Sequence, residues 1–177
     1  PGEAPGVADT ELGRLGLAIC WDAAYPDLFR AYAGRAQMLV VSSCPPAMGH
    51  MELRLPGGRS LPFAGASRWA REVRDRGDAV VDEDLRAQSA WLGVPLVSAM
   101  QHGRFTSSAP RPALSLTLGM LPNPRLWPLI RFVSRATISA PHNEHTLVAD
   151  ANGSVLARPG TGDDCAVADV EVPESPP

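Results

Sequence analysis

The stretch LGLAICWDAAYPDLFRAYAGRAQMLVVSS, residues 15–43, holds two short apolar runs with a helical period between them. Leu15 to Cys20 shows no polar alternation, which fits a strand covered on both faces. Pro26 suits a first helical turn, where its missing N–H costs nothing, and Asp27 there complements the helix dipole. Phe29, Tyr32, Ala33 and Ala36 recur at helical spacing, and Gly34 weakens the helix near its end. Met38 to Ser43 is the next buried strand. Strand, elbow, helix and strand make a βαβ unit with parallel strands. The expected class is therefore α/β.

Outward from this unit, residues 1–14 read as loop, and so do the Pro- and Gly-rich residues 44–65. Ala66 to Arg76 can form a short charged helix. Asp82 to Leu92 is a second helix, with Asp82 as a possible N-cap and Leu85, Ser89 and Leu92 near one face. Val94 to Ala99 is a third strand, with Pro95 near its start, where proline is tolerated. Residues 100–141 read as a long connection broken by prolines, with a helical turn or two from Leu126 to Val133. HTLVAD-ANG-SVLAR is a hairpin turning at Asn152-Gly153. Cys165 to Val172 is a last strand and 173–177 a tail. With no internal repeat or boundary, residues 1–177 are expected to form one domain.

Bulk composition narrows the function classes. The chain has 177 residues, 45% of them hydrophobic, and a net charge of -3. That size supports a real core, and that charge implies no nucleic-acid partner. Three cysteines at irregular spacing are neither a disulfide framework nor a zinc pattern, so a reducing, cytoplasmic setting is expected. The apolar-leaning segment Ala113 to Ile138 contains Pro122, Pro124, Arg125, Pro128, Arg131 and Arg135, which excludes a membrane span. All 16 basic residues are arginine; lysine is absent.

Cys20 is the first candidate for chemistry. A thiol at the C-terminal end of a buried strand, facing a helix start, sits where α/β sheets expose ligand sites. Backbone N–H groups there can stabilise an oxyanion, with the Trp21 amide placed to contribute. Free cysteine is also among the most buried residue types and usually only packs. Position alone leaves both readings open.

Further residues separate them. GRLGLAICWDAAYPDLFRAYA resembles the cysteine motif of the nitrilase superfamily, the carbon–nitrogen hydrolases, through Gly16, Ile19, Cys20, Trp21, Asp22, Pro26 and Asp27. AQMLVVSSCPP is similar to the strand after that motif, and AWLGVPLVSAMQHGRF to the family's later helix and strand. HTLVADANGSVLARPGTGDDCAVADVEV is similar to its closing hairpin and last strand. The resemblance implies part of a four-layer αββα sandwich. It makes Cys20 the nucleophile, attacking an amide, carbamoyl or nitrile carbon to give a thioester that water hydrolyses. It gives the Trp21 N–H to the oxyanion hole, makes Asp22 a structural acid, and places Tyr25, Ser43 and Cys44 near the pocket. It implies a small amide-type substrate, no cofactor or metal, and a homo-oligomer in the full-length parent.

The family also uses a glutamate base and a lysine upstream of the cysteine. Neither can be assigned here, so the N-terminal strands are expected to be missing, sheet edges and faces left unpaired, and this piece inactive by itself. Met100 stands where relatives often carry asparagine, which removes a pocket hydrogen bond. Other readings are weaker. His102, His142 or His145 could partner Cys20, and His142-x-x-His145 could bind metal, but no carboxylate accompanies it at helical spacing. Arg68, Arg71, Arg74 and Arg76 read as a solvated helix face, and PRLWPLIRFV as an amphipathic packing insertion. The rival function is a non-catalytic relative that binds a small ligand or serves as a structural subunit.

Overall fold

The computed structural model describes residues 4–62, 76, 79–109, 114–160 and 165–177. In chain order the strands are β1 (Gly6–Thr10), β2 (Gly13–Ile19), β3 (Met38–Ser43), β4 (Glu52–Leu55), β5 (Arg59–Pro62), β6 (Leu96–Met100), β7 (Arg104–Ser108), β8 (Thr137–Pro141), β9 (Leu147–Ala149) and β10 (Val155–Ala157). The α-helices are α1 (Pro26–Arg30), α2 (Glu83–Leu92), α3 (Leu114–Met120) and α4 (Trp127–Ile130). The chain divides into two compact units. One comprises Pro1–Pro45, Ala79–Gln101 and Glu144–Pro177; the other comprises Pro46–Asp78 and His102–Asn143.

The first unit is a mixed sheet of order β1-β2-β3-β6-β9-β10. β2, β3 and β6 run parallel, as the βαβ reading predicts, with Leu15 opposite Met38 and Leu39 opposite Leu96. One face of the sheet is buried by Ala18, Leu39, Val41, Leu96, Leu147 and Ala149 against Phe29, Tyr32, Leu85 and Leu92. Leu17 and Ile19 point the other way and are exposed. Leu85, Ser89 and Leu92 form the buried side of α2, at the predicted spacing. The hairpin turns where predicted. Gly153 takes φ +78° there, and the Asp150 carboxylate accepts from the N–H groups of Asn152 and Ser154.

The second unit is an antiparallel sheet of order β5-β4-β8-β7. Leu53, Leu55, Ala109, Met120, Leu129, Val133 and Ala136 form its core.

Several expectations are corrected. Residues 1–14 are not all loop: β1 pairs with β2 through a tight turn in which Gly13 has φ +105°. The region 44–65 holds the β4–β5 hairpin, and 100–141 holds β7, α3, α4 and β8. Their strands are only four or five residues long and are set among prolines, which hid the alternation. The helix at Pro26 closes at Arg30 and continues as tight turns bonded three residues back, so Phe29, Tyr32 and Ala36 are buried but Ala33 is exposed. Asp82 stands at the N-cap of α2 as expected, but its carboxylate accepts no hydrogen bond from the N–H groups of that first turn. Residues 165–172 form no strand ladder. The tail is tethered instead by Gln37 Nε2 donating to the Pro173 carbonyl, at 2.6 Å, and Gly34 N–H donating to the Pro177 carbonyl, at 2.7 Å. The helix expected over 66–76 falls, Arg76 apart, outside the described residues.

Gly16 is a close-approach glycine on β2. A Cβ there would lie 2.9 Å from Leu39 Cδ2 and 3.1 Å from both Ala36 Cβ and Tyr32 Cδ1, all deeply buried groups. Gly16→Ala is therefore expected to destabilise by about 1–3 kcal/mol through overpacking, despite its smaller unfolded-state entropy. A urea titration checks this: the midpoint falls while the slope holds. An unchanged midpoint would mean the helix side of the sheet yields freely.

Candidate active site

β2 ends at Ile19, and Cys20–Ala24 form a single 3-10 turn before Tyr25 and α1. Cys20 has φ +50°, the one positive φ of a non-glycine residue among the described residues. The left-handed region costs an L-residue about 1–2 kcal/mol. Such a conformation persists where neighbours over-determine it. Here the Ile19 N–H donates to Asp22 Oδ2 at 2.9 Å, and the Tyr25 N–H to the Asp22 carbonyl at 3.0 Å. This is half of a capping box, since isoleucine has no side-chain acceptor to return the bond. Asp22 thereby braces the elbow from both its carboxylate and its carbonyl. The Trp21 amide lies in the first turn, where N–H groups have no acceptor within the helix.

The elbow opens on a cavity of about 360 Å³ lined by Ile19, Cys20, Ser42, Ser43, Cys44, Ala99, Met100 and Gln101. Cys20, Ser43 and Cys44 therefore share one cavity at the C-terminal ends of three parallel strands, the usual ligand position of such sheets. Ser42, Ala99 and Gln101 were not legible as lining residues. Only the register aligns them, with Ile19 opposite Ser42 and Ser42 opposite Ala99. Ser43 is 7% exposed, and its buried Oγ has no hydrogen-bond partner in the structure. Met100 is anchored by its N–H donating to Thr146 Oγ1 at 2.9 Å. Tyr25 is 57% exposed and Trp21 62%, and neither ring is among the lining groups. Among the described residues, the lining groups include no carboxylate, imidazole, ammonium or guanidinium. They offer two thiols and hydrogen-bonding groups but no general base.

None of the three candidate histidines is among the residues that line this cavity. His145 Nδ1 lies 2.8 Å from Asp82 Oδ2, which also accepts from Arg158 Nη2 at 2.6 Å, while Asp82 Oδ1 accepts from Arg86 Nε at 2.7 Å. Burial raises the pKa of Asp82, but hydrogen bonds from Arg86 and Arg158, the Arg158 charge and His145 outweigh it, so its carboxyl is held below the ordinary value of 3.8. His142 is 8% exposed in the second unit and sets its ring edge-on to Phe105 at 6.4 Å. His102 belongs to that unit as well. Among the described residues no group of three His, Cys, Asp or Glu is placed to hold a metal ion. No helix among them is long and apolar enough to cross a membrane.

A family profile described as carbon-nitrogen hydrolase matches residues 1–174. A deaminated glutathione amidase from Yersinia enterocolitica is 49% identical over 138 residues, covering 61% of this chain and 48% of that protein. The crystal structure of a carbon-nitrogen hydrolase from Helicobacter pylori G27 superposes with a TM-score of 0.54 at 17% identity, covering 97% of this chain and 44% of that one. A member of branch 10 of the nitrilase superfamily from Saccharomyces cerevisiae gives 0.47 at 16% identity, covering 93% and 40%. The chain spans about half the length of the curated relative it matches. The Helicobacter pylori structure shares its mixed α/β fold.

Proposed function

The chain belongs to the carbon–nitrogen hydrolase family, and from that premise we propose that Cys20 is the nucleophile of a full-length parent that hydrolyses a non-peptide C–N bond. The observation that carries this reading is the left-handed Cys20 at the braced end of β2, lining the cavity. Strain concentrated at one thiol, in a cavity at the carboxyl edge of parallel strands, is what a presented nucleophile requires and what core packing does not.

In the proposed reaction the Cys20 thiolate attacks the carbonyl carbon of an amide or carbamoyl group. The Trp21 N–H donates to the oxyanion, ammonia or an amine leaves, and water cleaves the thioester. Ser43 and Cys44 border the acyl group. No described residue lining the cavity takes the thiol proton or activates water, so in the proposed reaction the base and the second oxyanion donor are groups other than these. A nitrile substrate ranks below an amide because the matched relative is an amidase. Deaminated glutathione, the substrate in that relative's name, is the first compound to assay, and the parent is proposed to act as a homo-oligomer.

The test is acyl trapping. The full-length parent is incubated with an amide panel that includes deaminated glutathione, quenched in acid and digested. The expected adduct maps to the peptide containing Cys20, and the 177-residue chain alone gives no turnover. An adduct on Cys44 or Cys165 would overturn the assignment. Turnover without any adduct on cysteine would favour another mechanism, and ligand binding without turnover would favour the non-catalytic reading.

A further inference from the structure

Two thiols line the cavity, and the proposed hydrolysis uses one. Cys44 is exposed and follows directly on β3, while Cys20 follows directly on β2. The parallel register sets Ile19 opposite Ser42, so its continuation brings Cys20 level with Ser43 and one step short of Cys44. Neighbouring strands are about 4.8 Å apart with about 3.3 Å between residues, which puts the two Cα atoms about 6 Å apart. Disulfides form at Cα separations of about 4.4–6.8 Å. Alternation along β3 turns Ser43 inward and Cys44 outward, and an ordinary strand residue in place of Cys20 would follow Ser43. Its φ of +50° breaks that alternation. Cys20 and Cys44 are both among the residues that line the cavity.

We propose that Cys20 and Cys44 form a peroxide-responsive pair that closes a reversible intramolecular disulfide across the cavity. The Cys20 thiolate attacks one oxygen of hydrogen peroxide. An S–O bond forms, the O–O bond breaks, and the departing hydroxide takes a proton to become water. Sulfur is oxidised by two electrons and peroxide is reduced by two, giving Cys20 sulfenic acid. The Cys44 thiolate then attacks that sulfur. An S–S bond forms, the S–O bond breaks, and hydroxide leaves and is protonated by the proton that Cys44 released. The sum is two thiols and one peroxide giving one disulfide and two waters. Thiol–disulfide exchange with a reductant restores both thiols. The bond fills the cavity mouth and removes the Cys20 thiolate, so it protects Cys20 from irreversible oxidation while it blocks acylation.

Closure depends on where the thiols stand and not on amide chemistry, so it is tested separately from the nucleophile assignment. The chain is treated with one equivalent of hydrogen peroxide, alkylated and digested without reduction. Two of its three thiols are expected to disappear. A linked peptide joining Cys20 to Cys44 appears, Cys165 is alkylated, and the chain remains a monomer on a non-reducing gel. Dithiothreitol restores both thiols. In Cys44→Ser, Cys20 stays as a dimedone-reactive sulfenic acid and passes on to sulfinic acid at least tenfold faster than in the wild type. Cys165→Ser forms the link as before. The proposal is overturned if Cys20 is oxidised while Cys44 stays free, if the link involves Cys165 or a second chain, or if wild type and Cys44→Ser over-oxidise at the same rate.

Discussion

Cys20→Ala and Cys20→Ser, made in the full-length parent, are expected to lose amide turnover by at least about a thousandfold, since Cys20 is the thiol proposed to form the covalent intermediate. Cys20→Gly loses it equally, but its stability moves the other way from cavity-forming core mutations. Ala and Gly both remove the thiol and differ only in backbone freedom. At φ +50° an alanine pays the left-handed penalty of about 1–2 kcal/mol that glycine escapes, against roughly 0.5–1 kcal/mol of extra unfolded-state entropy for glycine. Cys20→Gly is therefore expected to be as stable as Cys20→Ala or more so, by up to about 1.5 kcal/mol. A buried packing cysteine in a strand would give the reverse order. Paired denaturant titrations decide it, and a Cys20→Gly protein less stable than Cys20→Ala would show that the elbow stores no strain.

The parallel βαβ unit was readable because its chemistry is local. An unalternating apolar run, Pro26 at a helix start and a second apolar run each state their own structure. The hairpin at Asn152-Gly153 was readable for the same reason: only a few side chains tolerate its turn. β1 was not, because Gly6–Thr10 is polar and its strand character comes from pairing with Gly13–Ile19. β7 and β8 were hidden likewise, since their hydrogen bonds are to each other across a proline-broken segment. At the site, Cys20 and its neighbours in sequence could be named from the motif. Ser42, Ala99 and Gln101 could not, because which strand ends meet is a matter of register. Asp82 was legible in part: it stands at the N-cap of α2, but its carboxylate makes no cap hydrogen bond. Its position at a helix start suggested a cap, and its partners Arg158 and His145 lie 76 and 63 residues away.

Those partners set the second large effect. Asp82 is 6% exposed and receives Arg86, Arg158 and His145, which tie the start of α2 to the closing hairpin. Arg86 also donates through Nη1 to the Gly153 carbonyl at 3.2 Å. Asp82→Ala leaves the Arg86 and Arg158 guanidinium groups without their shared anion; both arginines are partly exposed, so the cost is expected at the low end of the roughly 3–5 kcal/mol of a broken buried pair. Asp82→Asn keeps the shape and one acceptor, and is expected to lose less, about 1.5–3 kcal/mol. The pH dependence carries its own sign. The folded pKa of Asp82 lies below 3.8, so the unfolded state binds the proton more readily. The contribution is fully present above the ordinary carboxylate range and is lost as pH falls below about 4 and through the lower folded value. The difference in unfolding free energy between wild type and Asp82→Asn should therefore be constant from neutral pH down to about 5 and shrink below that. A difference that stays constant through pH 3 would mean Asp82 acts by packing alone. A double-mutant cycle with Arg158→Ala separates the pair from the rest of the cluster, and a coupling near zero would place the stabilisation on Arg86.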